Sequence, residues 1–112
     1  MAQENDVARA KMGDKNLHKA DLSNANLAKV DLSGVMLRGA NLTNANLTGA
    51  NLTGANLRAA DLSGAILRGT NLRGALLGMA YLSYADLTNA DLTNADLTNA
   101  DLTNADLTGT IR

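Results

Sequence analysis

The sequence predicts an all-β protein whose chain turns once every five residues and winds into stacked coils. Three observations carry this. Leucine recurs at every fifth position from Leu17 to Leu107, nineteen times without a break. The residue two before each leucine is Ala in fifteen of the nineteen units, with Lys15, Val30, Val35 and Thr70 as the exceptions. The second residue after the leucine is Gly in eight units and Asn in six, the two residue types that tolerate positive φ.

A helix is excluded by arithmetic. Five residues at about 100° each advance roughly 500°, so successive leucines would land about 140° apart and no apolar stripe could form. A long flat strand fails as well, because side chains alternate with period two and an odd repeat would send consecutive leucines to opposite faces. The triplet of Ala, Asn or Asp, and Leu reads in, out, in, a short extended segment with two apolar groups on one face. The next two residues make a corner, and Gly or Asn at its second position is what the third position of a type II turn demands. If each unit turns the chain by about a right angle, twenty residues close one coil, and coils stack at about 4.8 Å.

The repeat Ala-(Asn/Asp)-Leu-x-x resembles that of the pentapeptide-repeat family over about four fifths of the chain, most cleanly from Ala85 to Gly109. The resemblance implies a right-handed quadrilateral parallel β-helix, the repeated five-residue fold, here of about five coils. Handedness and squareness come from the resemblance and not from the periodicity.

Taken in order, residues 1–15 fit the register poorly and form the first unit. Asn5, Lys11 and Lys15 spoil the columns, whereas helix formers, early acidic and late basic residues and Gly13 at a C-terminal cap predict a short N-terminal helix. Its task is to cover the open first coil, which otherwise exposes unpaired backbone groups. Residues 16–112 form the β-helix, written as coils 16–35, 36–55, 56–75, 76–95 and 96–112, so that residues twenty apart stack. Of the eight Asp that precede leucines, this register stacks only Asp86 on Asp106. Two such charges about 5 Å apart in water repel by roughly 0.8 kcal/mol. The last coil ends at Thr110, Ile111 and Arg112 as an open edge, and a homodimer through this C-terminal edge is expected.

Composition limits function. At 112 residues with no Phe, Trp, Pro or Cys, the interior must be built from Leu and Ala columns without disulfides or aromatic filler. No signal-peptide pattern or long apolar run is seen, so a cytoplasmic protein with no membrane partner is expected. A net charge of −1 argues against nucleic acid as a partner, although nine Lys or Arg against six Asp or Glu precede Ala85, and five Asp with one Arg follow. A convex, packed rod offers no cleft for a base, a nucleophile or an acid, so no enzyme, no catalytic residue and no cofactor are expected. His18 has no second His or Cys for a metal site and is expected to be exposed, and the regularly spaced Asp point to different sides rather than converging on a cation.

Two groups of surface residues depart from the pattern. Leu76, Met79, Tyr81 and Tyr84 replace polar residues at outward and corner positions of one coil, a candidate interaction patch of a kind that marks contacts when grouped. Met36 shares a side with Leu76 but is separated from it by Asn56, and Ile66 is the remaining apolar outward residue. Arg38 and Arg58 stack in one corner column, with Arg68 and Arg73 on adjacent corners, as a candidate basic girdle for an anion or an acidic partner. The bland alternatives are local packing for the patch and solvated side chains for the girdle. The function expected is a non-enzymatic structural or protein-interaction module with an unknown protein partner. The family resemblance implies an alternative, a DNA-mimicking protein that binds a type II topoisomerase (gyrase), although such members are longer and strongly acidic. Ice binding by threonine ladders is a weaker third, because Arg68, Arg73 and several Ser interrupt the Thr columns.

Overall fold

The corner is the element from which the rod is built. In all nineteen units the second residue after the leucine has φ between 55° and 69°. The next N–H then donates back to the leucine carbonyl, as from Ala20 to Leu17 at 3.1 Å and from Ala60 to Leu57 at 3.0 Å, closing a tight turn. One turn runs from Leu17 to Ala20 and the next from Leu22 to Ala25, so a single residue, Asp21, lies between them. The extended part of each side is therefore one bridging residue and not the three-residue strand that the in, out, in pattern suggests. The turns occupy the rest.

That bridging residue sets the register. In the computed structural model, which describes residues 2–112 and so leaves Met1 of the expected cap outside the described residues, parallel β-bridges join residues twenty apart from Asn16↔Met36 to Asp91↔Ile111. Each unit sends two N–H groups forward and one back. Leu17 donates to the Met36 carbonyl at 2.8 Å and Lys19 to that of Arg38 at 3.0 Å, while Met36 donates to that of Lys15 at 2.8 Å. Four corners per twenty residues give a four-sided coil, and the described residues fill an envelope of 33 × 23 × 23 Å. The first face carries Asn16, Met36, Asn56, Leu76 and Asp96. The second carries Asp21, Asn41, Asp61, Tyr81 and Asp101, the third Asn26 through Ile66 to Asp106, and the fourth Asp31 through Asn71 to Ile111.

Leucine and alanine fill the inside. The repeat leucines, every fifth residue from Leu17 to Leu92, are buried, as are the alanines two before them from Ala40 to Ala90, while Leu97, Leu102 and Leu107 in the last coil are partly covered. Thr70 takes an alanine place in the core, and its hydroxyl donates to the Leu47 carbonyl at 2.7 Å; no buried side-chain nitrogen or oxygen lacks a partner among the described residues.

Over the first coil lies α1, Glu4–Lys11, with Glu4 and Asp6 in its first turn and Arg9 and Lys11 in its last. It seats Ala10 in the core and, with the preceding Gln3, satisfies part of the backbone edge: Asp21 N–H donates to Asp6 Oδ2 at 2.8 Å, Gln3 N–H to the Asp21 carbonyl at 3.2 Å, and Arg9 to the Asn16 carbonyl at 2.6 Å. At the far side of the last coil the N–H groups of Leu97, Asn99, Leu102 and Asn104 have no partner among the described residues.

Outward Asn and Asp are structural. In every one of the fifteen units that carry one, its Oδ1 accepts the N–H of the residue two further on, at 3.0 to 3.5 Å. Where that residue is Ser or Thr, the hydroxyl commonly donates to the same oxygen, at 2.6 Å for Thr43 and 2.7 Å for Ser33. These bonds hold the carboxyls of Asp21, Asp31, Asp91, Asp96, Asp101 and Asp106 below the ordinary carboxylate range, hydroxyl first and backbone N–H second. A carboxyl whose folded value is depressed contributes stability that is present above the unfolded value, about 3.9, and is lost as pH falls through that value toward the folded one.

Two outcomes follow from this packing and capping. Leu57→Ala is expected to cost about 2–5 kcal/mol in chemical denaturation and Leu102→Ala clearly less, while Leu57→Asp yields no soluble β-rich protein; equal losses at 57 and 102 would contradict the inward column. The melting temperature is expected to stay level from about pH 7 to 5 and to fall below about pH 4. The triple variant Asp96→Asn/Asp101→Asn/Asp106→Asn keeps each Oδ1 acceptor and should lose part of that acid limb, which calorimetry at several pH values measures.

Candidate interaction surface

Leu76, Met79, Tyr81 and Tyr84 fall on one coil, across the first face, the corner after it, the second face and the next corner. Leu76 is half-buried, whereas Met79, Tyr81 and Tyr84 are 57%, 53% and 70% exposed. Together they present on the order of 400 Å² of mostly apolar surface, the size of the largest patch on many soluble proteins.

Each of the four departs from the residue most units carry at its position, as Met36 and Ile66 do at the cap and Lys19, Lys29 and Ala59 at the corner. Leu76 and Tyr81 stand where Asn or Asp caps the turn, so Gly78 and Ser83 N–H groups lose that acceptor. Met79 and Tyr84 hold φ of 58° and 60° at positions that are Gly or Asn in fourteen of nineteen units. A left-handed backbone costs a residue with a Cβ about 1–2 kcal/mol, and Asn largely escapes this. Met36 and Ile66 also displace caps, but each does so alone, Met36 two coils below Leu76 and Ile66 on the third face. Side chains at the left-handed corner position lean along the rod toward the next coil. The Lys19 and Lys29 stems lie 3.5 Å from where a Cβ on Gly39 and Gly49 would sit, and Asn44 Oδ1 and Asn89 Oδ1 lie against Gly64 and Gly109.

The four arginines of the girdle differ in what they reach. Arg68 pairs with Asp86 at 2.9 Å and Arg73 with Asp91 at 3.3 Å, each corner cation reaching an outward carboxylate of the next coil. Solvent-exposed pairs of this kind contribute little to stability, because water screens them. Arg68 also places a countercharge on the one directly stacked pair, Asp86 and Asp106. Thr88, with Arg68 behind it, holds the Asp86 carboxyl below its usual range. The Arg58 stem lies along Gly78, its Cγ 3.9 Å from a Cβ built there, and its charge lowers the Asp96 carboxyl after Thr98 has done so. Arg38 remains exposed with no ion pair among the described residues. His18 is exposed. The corner Thr hydroxyls that an ice-binding ladder would present outward are instead donated to Asn and Asp oxygens, as at Thr48, Thr53, Thr93 and Thr108. Sequence reasoning missed both the caps and the cross-coil pairs, and both had a signal: Asn or Asp two before Ser or Thr, and Arg eighteen before Asp.

Pentapeptide repeats, in eight copies, match residues 6–39, 16–54, 40–78 and 80–111. The chain belongs to the pentapeptide repeat family. Membership assigns it the right-handed quadrilateral β-helix. A pentapeptide repeat protein of the Arabidopsis thaliana thylakoid lumen is 33% identical with a TM-score of 0.68 over 85% of this chain and 63% of that one. Rfr23, from the cyanobacterium Cyanothece 51142, is 34% identical with a TM-score of 0.53 over 82% and 63%. This family member thus spans less than two thirds of the length of these two relatives. QnrB1, a plasmid-mediated fluoroquinolone resistance protein, is 20% identical with a TM-score of 0.47 over 88% of this chain and 64% of that one, a likeness that carries no functional argument. No curated protein matches the chain. No helix among the described residues is long and apolar enough to cross a membrane.

The broken rules have a measurable consequence. Tyr84→Asn is expected to raise stability by about 1 kcal/mol by relieving the left-handed corner, and Tyr81→Asn to add a turn cap. Denaturant midpoints check both, and a loss of stability on either change would show that the tyrosines are there for packing.

Proposed function

We propose that this pentapeptide repeat protein is a non-enzymatic interaction module, a rigid rod that binds a protein partner through the coil carrying Leu76, Met79, Tyr81 and Tyr84. The observation that carries this is the concentration of departures there. Four successive turn-defining positions give up a cap or a favoured corner residue to place apolar and aromatic side chains in solvent. Local rules are broken in natural proteins chiefly where function demands it. The interior offers no alternative, because Leu and Ala columns fill it and no cavity opens among the described residues.

A second reading is a DNA-mimicking topoisomerase-binding protein, favoured by the run of Asp86, Asp91, Asp96, Asp101 and Asp106 around the end of the rod. Two of those five are paired with Arg68 and Arg73, and the others sit on three different faces, which weakens a phosphate-like row. Inhibition of supercoiling by the purified chain would favour that reading.

Photo-crosslinking in cells tests the first. A benzophenone amino acid at position 81 or 84 is expected to trap a discrete product that the same group at Asn41 or Asn44, two coils below on the same side, does not. Equal or absent labelling at all four positions would reject the module. A product at twice the mass of the 11.6 kDa chain would identify the partner as a second copy.

A further inference from the structure

We propose that the band from Leu76 to Tyr84 docks a short basic and apolar segment of a partner protein. Its aliphatic or aromatic side chain lies over Leu76, Gly78 and Met79, and its lysine or arginine on the Tyr81 ring between Asp61 and Asp101. This rests on the interaction-module reading above and adds the chemistry of the partner.

The carboxylates supply the charge argument. Tyr81 bridges Asp61 on one side and Asp101 on the other, one coil away in each direction, about 4.8 Å. Each aspartate spends Oδ1 on its own turn, Asp61 on the Ser63 N–H and Asp101 on the Thr103 N–H and hydroxyl. Neither is in an ion pair among the described residues. A cation over the Tyr81 ring would meet the negative face of the ring and a carboxylate on either side. Of the cations near the band, Arg68 is paired with Asp86, while Arg58 has no ion pair among the described residues and lies along Gly78, its charge felt by the Asp96 carboxyl.

The shape argument comes from Gly78. Every other unit has a side chain at this first corner position, and Gly78 is the one glycine there. Neither backbone nor space requires it. Its φ is not in the left-handed range, and a Cβ would meet only ordinary contacts, 3.7 Å to the Thr98 carbonyl and 3.9 Å to Arg58 Cγ. The missing side chain leaves a dent of one side chain's size at Gly78, bordered by the Arg58 stem on one side and the Thr98 carbonyl on the other. On the order of 400 Å² suits one or two anchoring side chains and falls short of the roughly 800 Å² per partner of a standard protein interface. The occupant is accordingly a short segment rather than a broad domain face.

The experiment selects displayed random dodecapeptides on the full chain and measures the enriched peptides by NMR. Tyr81 and Tyr84 are the only aromatic residues other than His18, so their ring signals report on the band alone. The expected result is enrichment of Lys or Arg beside Leu, Ile, Met or Phe, with ring shifts on titration. Affinity should fall at least tenfold in Leu76→Asn/Met79→Asn/Tyr81→Asn/Tyr84→Asn, which restores residues the repeat uses elsewhere and so keeps the fold. Asp61→Asn and Asp101→Asn, which retain the turn cap, should each weaken binding about two- to fivefold, and Gly78→Thr should weaken it by filling the dent. Enrichment of acidic or uncharged peptides, unchanged affinity in the quadruple variant, or no enrichment at all would overturn the proposal. If crosslinking at positions 81 and 84 is specific while selection gives one of those results, the interaction module stands and only the partner's chemistry falls.

Discussion

Because every fifth residue takes φ near +60°, each leucine carbonyl is consumed inside its own turn and each leucine N–H is turned along the rod, where only another coil can accept it. The rest of the structure follows from that constraint. A turn that uses four of every five residues leaves one to bridge, so the sides are ladders one residue wide. The bridging residue's side chain must point out and its two neighbours in. A single coil would leave nearly all of these backbone groups unpaired, so stability belongs to the stack. α1 matters for the same reason, since Asp6, Gln3 and Arg9 supply partners that a preceding coil would otherwise provide.

The polar outside is as organised as the apolar inside. Asn or Asp before each leucine is a turn cap, with one oxygen taking a backbone N–H and often a Ser or Thr hydroxyl. Asn and Asp serve equally well in this, so the choice between them is free to set charge. The aspartates gather toward the end of the rod, and Arg68 and Arg73 reach across one coil to neutralise two of them. A surface that composition alone presents as repetitive and solvated is thus largely committed to holding the corners.

That commitment gives the apolar band its meaning. Met36 and Ile66 show that one cap can be lost without consequence for the register. In the coil from Leu76 to Tyr84 two caps are lost and two corners are strained within nine residues, and three of the four side chains gained are exposed, with Leu76 half-buried. The rod tolerates this because its neighbours on both sides are fully capped units. Rigid presentation also keeps the entropic cost of binding low, since the backbone beneath the band is already ordered.

Much of the fold was legible before any coordinates, because a five-residue period of leucine is compatible with neither helix nor flat strand, and Gly or Asn at one fixed place identifies the corner. Leu57 inward, Asn56 outward and residues twenty apart in register are all consequences of spacing along one chain. The same holds for membership in the surface patch, since Leu76, Met79, Tyr81 and Tyr84 are visible as exceptions to a repeat. The tertiary structure alone decided which atoms meet between coils: Arg68 with Asp86, Arg73 with Asp91, Asp6 with the Asp21 N–H, and Asp61 and Asp101 on either side of Tyr81. The physical reason is that periodicity specifies the direction in which a side chain leaves the backbone. Its partner depends on the distance between coils and on the lean of each side chain along the rod, and neither is written in any one repeat.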